Sequence, residues 1–281
     1  MKINLYMIQQ GPRRAHCDAL YDYLRGQGHE VIPHNIHNMS SSEQADADTG
    51  MVISYAIGGE QKRVIDEVRG RGIPCVVLEF GYLGDRYEHL GVSLLGPNGV
   101  HNNNGDFLLR AEKASDRLDA LRGQGAQAAQ QTKNGKGKTA LILGQVPGDS
   151  QLDGKDIVAW TRDATHAMES LGYSVIYRPH PQVIKTDTPL DDAMIGASCV
   201  VSYNSTALVR AIQLGIPIFC SDVCQYYGIA GTNLADPKPI AKAKRQQFLA
   251  NLAHCQYNAK EFRDGTAWAH IQELQSMRTE T

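Results

Sequence analysis

The sequence predicts an α/β protein made of two Rossmann-like domains, and three observations carry that expectation. Short apolar runs alternate with amphipathic segments along most of the 281 residues, the signature of βαβ units. A strand–helix–Gly-x-Pro–strand unit occurs twice, with Gly72-Ile73-Pro74 in one copy and Gly215-Ile216-Pro217 in the other. Between the two copies lies GQGAQAAQQTKNGKGK, residues 123–138, polar and low in complexity, which reads as a boundary. The expected organisation is a first domain over 1–125, a linker over 126–138 and a second domain over 139–281, with the final helix able to pack back on the first domain.

Taken in order, Lys2 to Gln9 alternates and is rich in Ile, Leu, Tyr and Met, a first strand. Ala15 to Gln27 is an amphipathic helix with Ala15, Ala19, Leu20, Tyr23 and Leu24 on one face, ended by Gly28. Glu30 to Pro33 starts a second strand. This opening lacks G-x-G-x-x-G, so it does not indicate a dinucleotide. Met51 to Tyr55 is a strand, Glu60 to Arg71 a helix, and CVVLEFG, Cys75 to Gly81, the next strand. Glu79 sits near that strand's carboxyl end with Asp85 in the Gly-rich loop beyond, so both are candidate bases; a cap or a surface ion pair is the plainer reading of Glu79. Residues 95–106, LGPNGVHNNNGD, form an amide-rich loop suited to hydrogen-bonding a polyol or a base edge, or simply to a surface. Ala111 to Leu121 is helical.

Thr139 to Gly144 opens the second half as a strand, with Gln145 to Ser150 as its exit loop and Ile157 to Ser170 as the next helix. The stretch Tyr173 to Phe219 then holds most of the candidate chemistry. Val175, Ile176 and Tyr177 read as a short buried strand that Arg178-Pro179-His180-Pro181 stops, because two prolines remove backbone donors. Arg178 and His180 then project from a stiff loop at a strand's carboxyl end, where open α/β sheets bind ligands. Cys199 to Val201 is an apolar strand, Ser202-Tyr203-Asn204-Ser205-Thr206 a hydroxyl-rich turn, and Ala207 to Leu214 a helix that Gly215 caps. A helix starting in Ser and Thr offers N–H groups, hydroxyls and a positive dipole end to a phosphate, and Arg178 adds a permanent forked charge. Taken singly, the first motif also fits a rigid turn and the second an ordinary cap. Lys242 to His254 and Gly265 to Met277 read as two further helices.

Composition narrows the function classes. Hydrophobic residues make up 42% and charged residues 21%, as in a globular protein. The formal net charge of −2 gives no overall attraction to nucleic acid, leaving only a local basic rim. The six cysteines, Cys17, Cys75, Cys199, Cys220, Cys224 and Cys255, form no C-x-x-C pair and no zinc pattern, and read as reduced structural thiols. The N-terminus has no signal-like apolar region, and no apolar stretch approaches the roughly 20 residues of a membrane span. The expected setting is the cytoplasm, that of a host cell if the chain is phage-encoded.

The segments LILGQVPGDSQ, YRPHPQ, VVSYNSTALVRAIQLGIPIF and LAHCQYNAKEFRDGTAW, in that order, resemble the capsule polysaccharide biosynthesis family, which includes bacterial β-Kdo transferases. The resemblance covers much of residues 139–270. It implies a GT-B architecture, two Rossmann-like domains facing a central cleft, with the donor nucleotide held mainly by the second. It further implies that Gln145, Asp149, Arg178, His180, Ser202, Asn204, Ser205 and Thr206 line the donor site. Two departures stand out: Arg210 where the family commonly has an acidic residue, and Tyr257 where it has a tryptophan. In the first half, LEFGYLGDRYEHL and SLLGPNGVHNNNGDF resemble small phage-encoded glycosyltransferase-like proteins, some of which are expected to modify hydroxymethylated pyrimidines in DNA.

The resulting expectation is a glycosyltransferase that moves a sugar from a nucleotide-sugar to an acceptor hydroxyl, with a 5-hydroxymethylpyrimidine in DNA as acceptor, which requires base flipping, and a surface or capsule glycan as the alternative. Glu79 and Asp85 are the candidate bases, with Asp149 and His16 in reserve. Arg13, Arg14 and Arg86, with Asn98 and Asn102 and the cluster Lys133, Lys136 and Lys138, are the candidate acceptor contacts. No metal and no cofactor beyond the nucleotide-sugar is expected. The rival readings are a nucleotide-sugar epimerase or hydrolase and a non-catalytic nucleic-acid or glycan binding protein.

Overall fold

The computed structural model describes residues 1–9, 11, 13–39, 45–55, 59–85, 87–94, 115–123, 138–149, 152, 154–221, 229–230 and 241–279. The strands are β1 Lys2–Met7, β2 Glu30–Asn35, β3 Thr49–Tyr55, β4 Cys75–Phe80, β5 His89–Ser93, β6 Thr139–Leu143, β7 Ser174–Arg178, β8 Cys199–Val201, β9 Ile218–Phe219 and β10 Gln256–Asn258. The helices are α1 Arg14–Gly26, α2 Gly59–Gly70, α3 Asp116–Gly123, α4 Ile157–Ser170, α5 Leu190–Met194, α6 Leu208–Leu214, α7 Lys242–Ala253, α8 Ala259–Arg263 and α9 Thr266–Thr279. They fall into two compact units, Met1–Pro97 with Leu252–Thr281, and Asn98–Asn251.

The first unit is built on a six-stranded sheet in the order β10-β5-β4-β3-β1-β2. The four strands β2, β1, β3 and β4 run parallel, β5 pairs antiparallel with β4, and β10 pairs antiparallel with β5. Ile3, Leu5, Met51, Ile53, Val76 and Leu78 are buried, as expected for strands that helices cover on both faces. On α1 the buried stripe is His16, Cys17, Ala19, Leu20 and Leu24; Ala15 is exposed, so the apolar face is rotated from the expected one. That stripe packs against α8, where Phe262 meets the His16 ring edge-on. The return of the chain to this unit starts at Leu252, before the final helix, and brings β10 onto β5. The expected linker lies outside the described residues apart from Lys138.

The second unit holds a wholly parallel sheet in the order β7-β6-β8-β9. Ala140, Ile142, Cys199, Val201 and Phe219 pack on Ala164 and Met168 of α4, with Trp160, Tyr173 and Val175 closing the cluster. Burial pushes the Cys199 thiol up to about 12, in keeping with an inert core thiol. The described cysteines, Cys17, Cys75, Cys199, Cys220 and Cys255, are all buried, and none of them is in a disulfide. Strand β7 is not the buried strand expected. It is an edge strand, and Ile176 and Tyr177 are about half exposed at 50% and 51%. Helix α6 packs on β8 and β9, at the other end of the sheet order from β7.

Both units therefore share one strand order, second-first-third-fourth, and the Gly-x-Pro echo occupies the same place in each. Gly72 and Gly215 adopt φ of 80° and 78° to end α2 and α6, a conformation that costs a side chain about 1 kcal/mol or more. The following Pro74 and Pro217 carbonyls each accept a 2.9 Å bond, from Val52 and Val200 of the adjacent strand. No described helix is long and apolar enough to cross a membrane.

Candidate functional site

In the second unit the chain steps from β6 to β7 on one side and then to β8 on the other. The carboxyl ends of β6 and β8 thus mark the topological switch point, where loops diverge and ligands bind in open α/β sheets. The β6 exit turns back at Pro147-Gly148: Asp149 N–H donates to the Val146 carbonyl at 3.2 Å and Gly148 takes φ 78°, as the third position of a type II turn requires.

Gln145 joins this loop to the exit of β8. Its Oε1 accepts from Asn204 N–H at 3.0 Å and its Nε2 donates to Asn204 Oδ1 at 2.5 Å. The Ser202 hydroxyl donates to the Leu143 carbonyl at 3.0 Å and lies 3.4 Å from Gln145 Oε1. Ser202 and Asn204 are wholly buried, so these three side chains brace the two loops. Tyr203 is pinned from the other side by Trp160, edge-on at 5.6 Å. Helix α6 starts at Leu208 with Ala207 as its N-cap, and no hydroxyl caps it. Ser205 Oγ instead accepts from Ala207 N–H at 3.3 Å, closing a local turn. The expected hydroxyl-capped helix end is thus a Ser-Thr turn ahead of a short helix, with Ser205 and Thr206 partly exposed at the edge.

Arg178 ends β7, and its carbonyl accepts from Gly144 N–H at 2.8 Å, which ties it to the β6 exit. Among the described residues no carboxylate pairs with it. His180 Nδ1 accepts from Gln182 N–H at 3.2 Å, so its neutral ring carries the proton on Nε2. The His180 carbonyl accepts from Val183 and Ile184 amides at 2.8 and 3.0 Å, holding the loop compact. Asp149 is partly exposed beside this edge. Arg210 forms a bidentate pair with Asp191, at 2.7 Å to Oδ1 and 2.5 Å to Oδ2. That hydrogen bonding lowers the Asp191 pKa and raises that of Arg210. The cation standing where a carboxylate was expected is thus neutralised within the fold.

In the first unit β1 and β3 make the corresponding switch point. Arg13 lies beyond β1, with its guanidinium carbon 4.9 Å from the Tyr55 ring centre and 4.5 Å from that of Phe80. Its Nη1 donates to Tyr55 Oη at 2.8 Å. Arg14 is turned to Asp18 and to Gln9. Successive strand residues face opposite sides, so Glu79 lies on the face away from Phe80; it is 6% exposed. Asp85 is exposed, and its Oδ1 accepts from Tyr87 N–H at 2.8 Å. His16 Nε2 is 2.9 Å from the Glu88 carbonyl, a structural contact between α1 and this loop. Arg86, Asn98, Asn102, Lys133 and Lys136 lie outside the described residues. Among the described residues no group of His, Cys, Asp and Glu is arranged to hold a metal ion.

Sequence reasoning missed Gln256. Wholly buried in β10, it accepts from the amides of Tyr82 and Leu83 at 2.8 and 2.9 Å and donates to the Leu83 carbonyl at 2.7 Å. It fixes the loop that carries Asp85. The neighbouring Asn258-x-x-Glu261 forms a capping box on α8, a pattern readable in sequence.

No family model matches the sequence, and no curated protein matches it. Two solved structures from Thermosulfurimonas dismutans are similar to it. The KpsC β-Kdo 2,4 transferase is 13% identical, over 92% of this chain and 92% of that one, with a TM-score of 0.58. The KpsC β-Kdo 2,7 transferase is 15% identical, over 96% of this chain and 100% of that one, with a TM-score of 0.54. At such identities the likeness is one of fold, and it extends over nearly the whole chain.

Proposed function

We propose that the protein is a glycosyltransferase that takes its donor nucleotide-sugar at the β6/β8 edge of the second unit and passes the sugar to a hydroxyl of a glycan. The observation that carries this reading is the brace of Gln145, Ser202 and Asn204 at the switch point, beside an Arg178 that no described carboxylate neutralises. A rigid edge with a forked cation suits a phosphate that gains charge as its bond to the sugar breaks. In that step the phosphate oxygen leaves with the electron pair, the acceptor oxygen bonds the anomeric carbon, and the acceptor proton passes to a base. Arg178 and the Nε2–H of His180 stabilise the leaving phosphate, and Ser205 and Thr206 offer hydroxyls at the same edge. No metal takes part. Of the carboxylates singled out as base, Asp85 is exposed and Asp149 partly exposed, while Glu79 is buried. The fold likeness to two Kdo transferases supports a transferase. A hydroxymethylpyrimidine in DNA draws no support from the described residues, because Arg14 is paired with Asp18 and Arg86, Asn98, Asn102, Lys133 and Lys136 lie outside them.

The test is turnover read by mass spectrometry. CMP-, UDP- and GDP-sugars are offered alone, with a capsule-type oligosaccharide, and with DNA containing hydroxymethylcytosine. A sugar-sized mass gain on the oligosaccharide is expected. Gain on the DNA would restore the nucleic-acid acceptor, and donor cleavage without transfer would replace the transferase with an epimerase or hydrolase.

A further inference from the structure

We propose that the Arg13 guanidinium, seated between Tyr55 and Phe80, is a binding point for a carboxylate on the acceptor, which makes the acceptor an acidic saccharide. Its acceptor role rests on the transferase reading; carboxylate binding by Arg13 does not.

Arg13 stands at the carboxyl edge of the first unit's sheet, beyond β1 and beside the ends of β3 and β4. Its two aromatic neighbours are perpendicular, with ring centres 6.0 Å apart, and the guanidinium lies within 5 Å of both ring centres. Tyr55 Oη takes Nη1 at 2.8 Å and sets the rotation of the fork. Arginine has five N–H donors, and no described carboxylate meets any of them here. Stacking on rings leaves the charge in place while stripping water from its faces. A cation so placed favours one planar oxyanion gripped edge-on.

The surroundings select among anions. Phe80 is flanked by Tyr87, edge-on at 5.4 Å and 53% exposed, a flat apolar wall next to the cation that suits a sugar ring. The loop bearing Tyr87 also carries the exposed carboxylates of Asp85 and Glu88, neither paired with Arg13. Arg14, the next cation, is turned to Asp18. Among the described residues, Asp85 and Glu88 on this loop weigh against a polyanion such as nucleic acid, and the Arg13 fork suits a single charge. The site is held still from two sides, because Gln256 fixes Tyr82 and Leu83 and His16 holds the Glu88 carbonyl.

The test is calorimetric titration of the full chain, without donor, using methyl β-D-glucuronide, its neutral counterpart methyl β-D-glucoside, inorganic phosphate and a short DNA duplex. The glucuronide is expected to bind about tenfold or more tighter than the glucoside, as a charge-assisted fork implies. Arg13→Gln should erase that preference. Arg13→Lys, which keeps the charge and loses the fork, should keep only a few-fold of it; it serves as the folded control, checked by thermal melting. Arg178→Ala should leave the preference intact. No measurable glucuronide binding, equal binding of the two sugars, or a preference that survives Arg13→Gln overturns the proposal. So does tighter binding of phosphate or of the duplex than of the glucuronide. Because no donor is present, a failed donor site would leave this result unchanged.

Discussion

The two parallel sheets share a strand order and a Gly-x-Pro grammar, yet their carboxyl edges are held by different means and present different chemistry. In the second unit the brace is Gln145 reaching Asn204, both on loops of the sheet's own central strands. In the first unit it is Gln256, brought in from the far end of the chain on β10 to hold Tyr82 and Leu83. Each brace is an amide with both ends satisfied, partly buried at Gln145 and wholly buried at Gln256. The second edge offers hydroxyls and Arg178; the first offers aromatic faces around Arg13. Topology thus sets where a site can be, and the exit-loop residues set what it can take.

The comparison is open to breakage, beginning with the larger brace. Gln145→Ala removes the partner of Asn204 N–H and Oδ1, leaving buried polar groups unsatisfied. The expected cost is about 2–3 kcal/mol in chemical denaturation, with donor affinity falling at least about tenfold. A variant of wild-type stability and affinity would mean that the brace does not organise the edge.

Gln256→Ala should cost about 1–3 kcal/mol in stability and leave donor affinity unchanged. Hydrogen exchange at the Tyr82 and Leu83 amides should quicken while the amides of β6 and β8 are unchanged. Quickening in both units would show that the two edges are not braced separately.

The smallest effect belongs to Asp191. Its pKa is held below the ordinary 3.8 by hydrogen bonding to Arg210, so the pair stabilises the protein above that value and the stabilisation is lost as pH falls through the folded pKa. Asp191→Asn should cost about 0.5–1 kcal/mol at neutral pH, as a partly exposed ion pair does, and nothing in strong acid. Melting curves across pH 2–7 check the sign; a cost that grew toward acid would contradict it.

Much of this architecture is legible in the sequence. Gly72 and Gly215 are readable because a helix end needs φ above zero and the proline two residues on cannot extend it. The exit loops of β6, β7 and β8 are readable because Gly144, Pro179 and the Ser202–Thr206 turn interrupt apolar runs. The exposure of β7 is not readable, since SVIYR has the composition of a core strand and edge status comes from its neighbours. Strands β5 and β10 escape notice for a similar reason. HLGVS and QYN are short, and their pairing joins residues far apart in the chain. At the candidate site, the positions of Gln145, Arg178, Ser202 and Asn204 are legible. The turning of Ser202 and Asn204 into the brace, of Arg210 onto Asp191 and of Glu79 to the face away from Phe80 is decided by packing, which residue identity alone does not reveal.

The most direct test of the central claim, that the second unit's edge holds the nucleotide and the first unit's edge does not, is calorimetric titration of CMP, UMP and UDP into the wild type, Arg178→Ala and Arg13→Gln. The account predicts that the nucleotide bound by the wild type loses about tenfold or more in affinity in Arg178→Ala and keeps its affinity in Arg13→Gln. Unchanged binding in Arg178→Ala, or a loss confined to Arg13→Gln, would contradict it.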